Sequence, residues 1–252
     1  MIHIFTAIEC EASPLRHLVN DDISLTVTGV GKVNAAFAVG RTFGPDKTRN
    51  DLLNDVVINV GICGSGNLEG MYLVNKITDN ASQRDFYPDI LRVFDIDEAP
   101  LITADDTVTD PADGVLYDME GSGLFEAANK LISPDRIIIL KIVSDKGDTE
   151  RLTPAIISSL ISKYVPDIER VISEVRSGLI AKPDESYDDL YELLHASASM
   201  TVQIDELMAF ASSLGVDGRA LFMEQIEASE DAKINKAKGK EIINRVRSIL
   251  IS

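Results

Sequence analysis

Three carboxylates stand where apolar runs stop. Glu11 follows "IHIFTAI" (2–8), Glu120 follows the run through Met119, and Asp145 follows "RIIILKIV" (136–143) and Ser144. Two glycine-rich turns hold comparable places. Gly31-Lys32 closes "TGVGK" after the run 23–30, and "CGSG", with Cys63 and Gly64, follows the run 56–62. In an open α/β sheet, ligands bind at the carboxyl ends of the strands. Five such segments on one rim would line one pocket. Three acids there suit cleavage of a glycosidic bond. That reaction passes through an oxocarbenium-like state and needs an acid for the leaving group and a base for a water on the other face. A third carboxylate can grip sugar hydroxyls through charge-assisted hydrogen bonds. A purine leaving group fits, because a protonated carboxyl can donate to a ring nitrogen. That role needs a raised pKa, which partial burial supplies.

Each feature also has a plain structural reading. Glu11 suits the first turn of a helix, where a carboxylate complements the dipole. Glu120 can cap the helix after it, and Ser144-Asp145 resembles a common N-cap pair. Gly29 and Gly31 fit a tight turn, and "GVGK" lacks the spacing of a P-loop. His3 and His17 read as structural. The conjunction of five segments at strand ends favours a site over each separate reading.

The elements that must position these residues are legible as patterns. Strands are expected over 2–8, 23–30, 56–62, 71–78 and 136–143, with weaker ones at 100–103 and 115–118. Most are continuously apolar, which implies burial on both faces. Helical spacing fits Val33, Ala36, Phe37 and Gly40, and again Leu124, Ala127, Ala128 and Leu131. The alternation implies an α/β domain with a largely parallel sheet. After Asp148 no strand signal remains. A break at 178–186 divides the chain into an α/β domain, 1–178, and a C-terminal all-helical extension, 179–252. Tyr187, Leu190, Tyr191 and Leu194 form an apolar stripe there, as do Ile204, Leu207, Met208 and Ala211, and Ile242, Ile243, Val246, Ile249 and Leu250. Such stripes are expected to pack on the α/β domain or across a dimer. The locally basic run 233–247 reads as a solvated helix face.

Composition narrows the function classes. The 252 residues are 45% hydrophobic, enough for a substantial core, and carry a formal net charge of -17. That charge argues against a nucleic-acid partner and suits a small ligand or a protein. Two cysteines far apart build neither a disulfide framework nor a zinc site, and no metal-ligand cluster is visible. Neither a signal peptide nor a membrane-spanning run is evident, so a cytoplasmic protein without a membrane partner is expected.

The segments "FTAIECEASPLR" (5–16), "TGVGKVNAA" (28–36), "INVGICGSG" (58–66), "DMEGSGLFEAA" (118–128) and "IVSDKGD" (142–148) resemble the signatures of the nucleoside phosphorylase/nucleosidase superfamily. Within it they are most similar to the methylthioadenosine/S-adenosylhomocysteine nucleosidases. The resemblance covers roughly residues 1–148. It implies a three-layer αβα fold around a twisted mixed sheet, a homodimer, a purine nucleoside or thionucleoside as ligand, and no cofactor. By resemblance, Asp145 is the acid that protonates the purine and Ser144 supports it. Glu11 positions and activates the water, Glu120 binds the ribose hydroxyls, and Met119 lies under the sugar. Cys63 and Gly64 border the base. The stretch between Asp79 and Asp118 is shorter than in those enzymes, so Val108 and Thr109 are expected near the base, with Phe86 and Tyr87 as candidate aromatic walls. Asp118 receives no role from the resemblance. Gly121, Ser122 and Gly123 let the chain pass close to the ligand.

Hydrolysis is the favoured reaction. Phosphorolysis is the alternative, but a glutamate beside a phosphate dianion is repulsive, and Arg16 lies too far along the first helix to be a phosphate ligand. A catalytically inactive nucleoside-binding or scaffolding protein is the third reading.

Overall fold

In the computed structural model, residues 1–44, 52, 54–89, 94–177, 187–229 and 234–251 are described. The chain divides into two compact units, Met1–Leu179 and Ile180–Ser252. The break expected at 178–186 lies outside the described residues.

The first unit is built on an eight-stranded sheet: β1 (Ile2–Thr6), β2 (Ile23–Val27), β3 (Val56–Gly64), β4 (Met71–Asp79), β5 (Asp85–Phe86), β6 (Glu98–Thr103), β7 (Leu116–Asp118) and β8 (Ile137–Asp145). Strands β2, β1, β3 and β8 are mutually parallel neighbours. Strand β4 runs antiparallel to β8 and to β5, and parallel to β6, which is parallel to β7. The sheet then closes on itself, because β7 meets β3 antiparallel through Gly64 and Tyr117.

Helices cover both faces. The helices α2 (Lys32–Phe43) and α3 (Gly121–Asn129) pack Ala35, Val39, Phe43, Leu124 and Phe125 against one face. On the other lie a short helix α1 (Glu9–Ala12), Leu15 and the long helix α4 (Pro154–Ser177), with Ile157, Ile161, Ile168 and Val171. This three-layer αβα arrangement explains the continuous apolar runs. Along β8, Ile137 and Ile139 enter one core while Ile138, Leu140 and Ile142 enter the other. The sheet is mixed rather than largely parallel, since β4, β6 and β7 run opposite to β1, β2, β3 and β8.

Two contacts fix how α2 and α3 meet the sheet edge. A methyl group on Gly123 would collide with the Lys32 carbonyl, so only glycine lets the start of α2 press against α3. Lys32 also reaches Asp79 Oδ2 at 2.9 Å, and Ser122 Oγ donates to the same oxygen at 2.8 Å.

The second unit contains α5 (Asp188–Leu193), α6 (Ala198–Ser213), α7 (Gly218–Glu227) and α8 (Lys236–Ile251). Its own core joins Tyr187, Leu190, Leu194, Met200, Ile204, Leu207, Phe222, Ile242, Ile243 and Val246. Ile249, expected on the apolar stripe, is exposed. Asp217 caps α7 by accepting from Ala220 N–H at 3.0 Å.

Gly123→Ala should lower stability by about 1–3 kcal/mol, the usual range for overpacking a close contact. Chemical denaturation checks this, and an unchanged midpoint would contradict the packing described.

Candidate functional site

A cavity of about 170 Å³ opens at the rim where β1, β3 and β8 end. Parallel pairing brings three of the sequence-predicted segments there directly. The fourth, residues 118–120, arrives by another route. A bulge between Cys63 and Gly64 lets Gly64 pair with both Asp145 of β8 and Tyr117 of β7. The three-residue strand β7 thus crosses the end of β3 and delivers Asp118, Met119 and Glu120 to the rim. Gly64 has no Cβ for good reason, since one would sit 3.2 Å from Asp145 Oδ1.

Glu11 is only 2% exposed. Its Oε2 accepts from the N–H groups of Ala7 (2.8 Å) and Ile8 (3.1 Å), and its Oε1 accepts from Ile62 N–H (2.8 Å). Burial pushes its pKa up and outweighs the three N–H donors and the Lys141 charge, which pull it down. Glu11 therefore does more than complement a helix dipole.

Glu120 is also buried, and its Oε1 accepts from Gly31 N–H at 2.8 Å. Gly31 has φ +97°, a conformation that favours glycine and turns this N–H toward the carboxylate. Burial, then the Asp118 charge, push Glu120 up, against Lys141 and Gly31. The capping role conceivable for Glu120 belongs to Asp118 instead. Asp118 Oδ2 accepts from Gly121 N–H at 2.8 Å at the start of α3, and Oδ1 accepts from Thr103 Oγ1 at 2.7 Å. Thr103 Oγ1 in turn accepts from Ser122 N–H at 2.9 Å.

Asp145 ends β8 rather than capping a helix. Its Oδ2 accepts from Ser144 Oγ at 2.7 Å, and its Oδ1 from Gly147 N–H at 2.9 Å. Ser144 is thus the side-chain donor to Asp145.

Of the residues expected near the ligand, Glu11, Cys63, Gly64, Val108, Met119, Glu120, Ser144 and Asp145 line the cavity together. Thr109 does not. Its carbonyl packs against Gly147, and Asp106 and Thr107 take the lining position instead. Phe86 packs on Phe125 in the core, and Tyr87 is exposed, so neither forms a wall. The aromatic residue in the lining is Tyr117, which the sequence reading missed although it precedes Asp118 in an apolar run. His3 lies outside the lining, held between Ser24 and Asp55, and Arg16 is exposed and bridged to Glu9.

The reading also missed Lys141. It lies inside β8, 1% exposed, with Nζ 2.7 Å from Asp118 Oδ2. A single lysine inside "IIILKIV" was the available signal. Among the described residues, no group of three or more His, Cys, Asp or Glu side chains is arranged to hold a metal ion. No helix among them is long and apolar enough to cross a membrane.

Comparison with solved structures fits this geometry. A 5′-methylthioadenosine/S-adenosylhomocysteine nucleosidase from S. pneumoniae, solved with a transition-state inhibitor, superposes with a TM-score of 0.54 at 14% identity, covering 69% of this chain and 99% of that one. The fold is that of these nucleosidases. The Arabidopsis thaliana 5′-methylthioadenosine nucleosidase matches at 0.51 and 18% identity, over 75% of this chain and 98% of that one. Futalosine hydrolase of Helicobacter pylori matches at 0.52 and 14% identity, over 69% and 97%. Nearly all of each neighbour is used, while a share of this chain comparable to its second unit is left over. No family model matches the sequence, and no curated protein matches it.

Because burial raises Glu120 in the folded protein, its ionised form opposes folding above that raised value. The opposition fades as pH falls through it. Glu120→Gln, which can keep the Gly31 bond, should therefore raise Tm at about pH 8 by on the order of 2–4 °C. Near pH 4 the gain should vanish. Thermal unfolding at both pH values checks this, and a lower Tm at the higher pH would contradict it.

Proposed function

We propose that this protein is a purine N-ribosyl hydrolase, cleaving the N-glycosidic bond of a purine nucleoside or 5′-thionucleoside. One observation carries the reading: Glu11, Glu120 and Asp145 line a single cavity whose described lining contains no lysine, arginine or histidine.

The lone pairs left free support a distinct role for each acid. A carboxylate offers about four acceptor positions. Glu11 has three occupied by backbone N–H groups, so a single position, on Oε1, remains for a water. That suits a general base that fixes one water in one orientation, and the raised pKa brings its basicity toward neutral pH. Among the described residues Glu120 accepts only from Gly31, which leaves Oε2 and part of Oε1 for two adjacent ribose hydroxyls. Asp145 is held by Ser144 and Gly147 at the cavity wall, which suits delivery of a proton to a ring nitrogen of the departing base. Met119 and Val108 supply apolar contact for the sugar and base, and Tyr117 an aromatic one.

Water rather than phosphate is the nucleophile favoured by this lining. Asp106, Asp118, Glu11, Glu120 and Asp145 would all repel a phosphate dianion, and no cation in the described lining compensates. The acceptor position left open on Glu11 also favours an enzyme over a nucleoside-binding scaffold.

Asp145→Asn should lower kcat for base release by about 10²–10⁴-fold, the span of general acid catalysis, while nucleoside binding largely survives. Base release from a nucleoside panel, with and without phosphate, checks the reaction. Full turnover in the variant would sink the mechanism. Release that required phosphate would assign a phosphorylase, and no release from any nucleoside would assign a binding protein.

A further inference from the structure

Lys141 has no part in the mechanism above. Among the described residues it is the only buried lysine or arginine. Its neighbours on the same face of β8, Ile139 and Val143, belong to the apolar core, and an aliphatic residue would continue that pattern. Burial penalises an ammonium, so its retention needs a reason in the charges around it.

Those charges lie on two sides. Nζ donates to Asp118 Oδ2 at 2.7 Å. Toward the other side it approaches the bare Cα of Gly61. A methyl group there would lie 3.3 Å from Nζ and 3.2 Å from Glu11 Oε1. Gly61 therefore leaves the space in which the ammonium and the Glu11 carboxylate face each other. The titratable groups around Lys141 are Asp118 and Glu120 at the end of β7, Glu11 on α1 and the Cys63 thiol on β3. Asp118 already has two other donors, Thr103 and Gly121. Three acids buried together without a cation would drive at least one of them to hold a proton.

We propose that Lys141 is a positioning residue for the reaction: its buried ammonium is the shared counter-charge that keeps Glu11 and Glu120 ionised, beyond its pairing with Asp118. Burial opposes its charge, but the Asp118, Glu120 and Glu11 carboxylates outweigh burial and hold it up. It stays charged while the acids titrate. The inference rests on the nucleosidase reading for its effect on rate, not for its effect on ionisation.

The full chain labelled with 13C at glutamate Cδ provides the test. Glu11 and Glu120 resonances are assigned by their loss in Glu11→Gln and Glu120→Gln. Each is then followed against pH in the unsubstituted chain, in Lys141→Arg and in the double variant Lys141→Met/Asp118→Asn. The double variant removes the Asp118 pair as a neutral unit. A Lys141 that served Asp118 alone would leave Glu11 titrating where it does in the unsubstituted chain, and that result overturns the proposal. The expected result is a Glu11 midpoint moved to higher pH, with Lys141→Arg near the unsubstituted value. In the same double variant kcat/KM should fall at least about tenfold near pH 6 and recover at alkaline pH. If the double variant does not fold, the Lys141 13Cε signal of the unsubstituted chain decides. A lysine that loses its proton at or below the pH where Glu11 ionises overturns the proposal. A protein without base-releasing activity would still show the carboxyl titration, so the two readings fail separately.

Discussion

Four carboxylates gathered at one end of a sheet repel one another, and the first unit is arranged around making that tolerable. Glu11, Asp118 and Glu120 are buried, and Asp145 is half-buried. A buried charge survives only if it is paired and hydrogen-bonded. Here each acid is met by backbone N–H groups that strand ends and helix starts leave unsatisfied: Ala7, Ile8 and Ile62 for Glu11, Gly31 for Glu120, Gly121 for Asp118 and Gly147 for Asp145. Such donors occur together only where several elements begin or end at one level. The convergence of strand ends is therefore a requirement of the acids as well as a frame for them.

The sheet closure follows from the same requirement. If β7 lay far from β3, Asp118 and Glu120 would be removed from Glu11 and Asp145. The bulge at Gly64 joins them, and the absent side chains at Gly61 and Gly64 let carboxylates and an ammonium approach strand backbone that a Cβ would block. Gly123 does comparable work one layer out, bringing the Gly31 turn within reach of Glu120. These glycines are packing devices. Their spacing in "INVGICGSG" and "MEGSG" follows what each must admit: Glu11 at Gly61, Asp145 at Gly64, Asp118 at Gly121 and the Lys32 backbone at Gly123.

Most of this was legible where a pattern reports on burial. Runs apolar on both faces announced a covered sheet, and acids at the ends of those runs announced a rim. Glu11, Glu120 and Asp145 could be picked out because each interrupts an apolar context at an element boundary. Lys141 escaped because it sits inside a run, where the pattern is set by neighbours and a single polar residue changes little. Asp118 escaped for a related reason: its partners Thr103 and Lys141 lie on other strands, and no local spacing encodes them. Thr107 and Thr109 could not be told apart, because residues 104–115 have no period to fix which side chain faces inward. The reversal of β4, β6 and β7 was likewise invisible, since an apolar strand reads the same in either direction.

The electrostatic sign of the site has a consequence for what can occupy it. The described cavity lining carries acids and no cation, and the chain as a whole is strongly acidic, so local and long-range fields act in the same direction. An anionic ligand would be opposed on approach and again on entry. A neutral nucleoside avoids both, and positive charge developing on a ribosyl group during bond cleavage would be stabilised by the acids that exclude anions. In the proposed hydrolase that field would discriminate between ground state and transition state, which is the condition for accelerating a reaction rather than only binding its substrate. Lys141 limits that field. Without it the acids would relieve their repulsion by taking up protons, and the negative potential that the proposed reaction draws on would be lost.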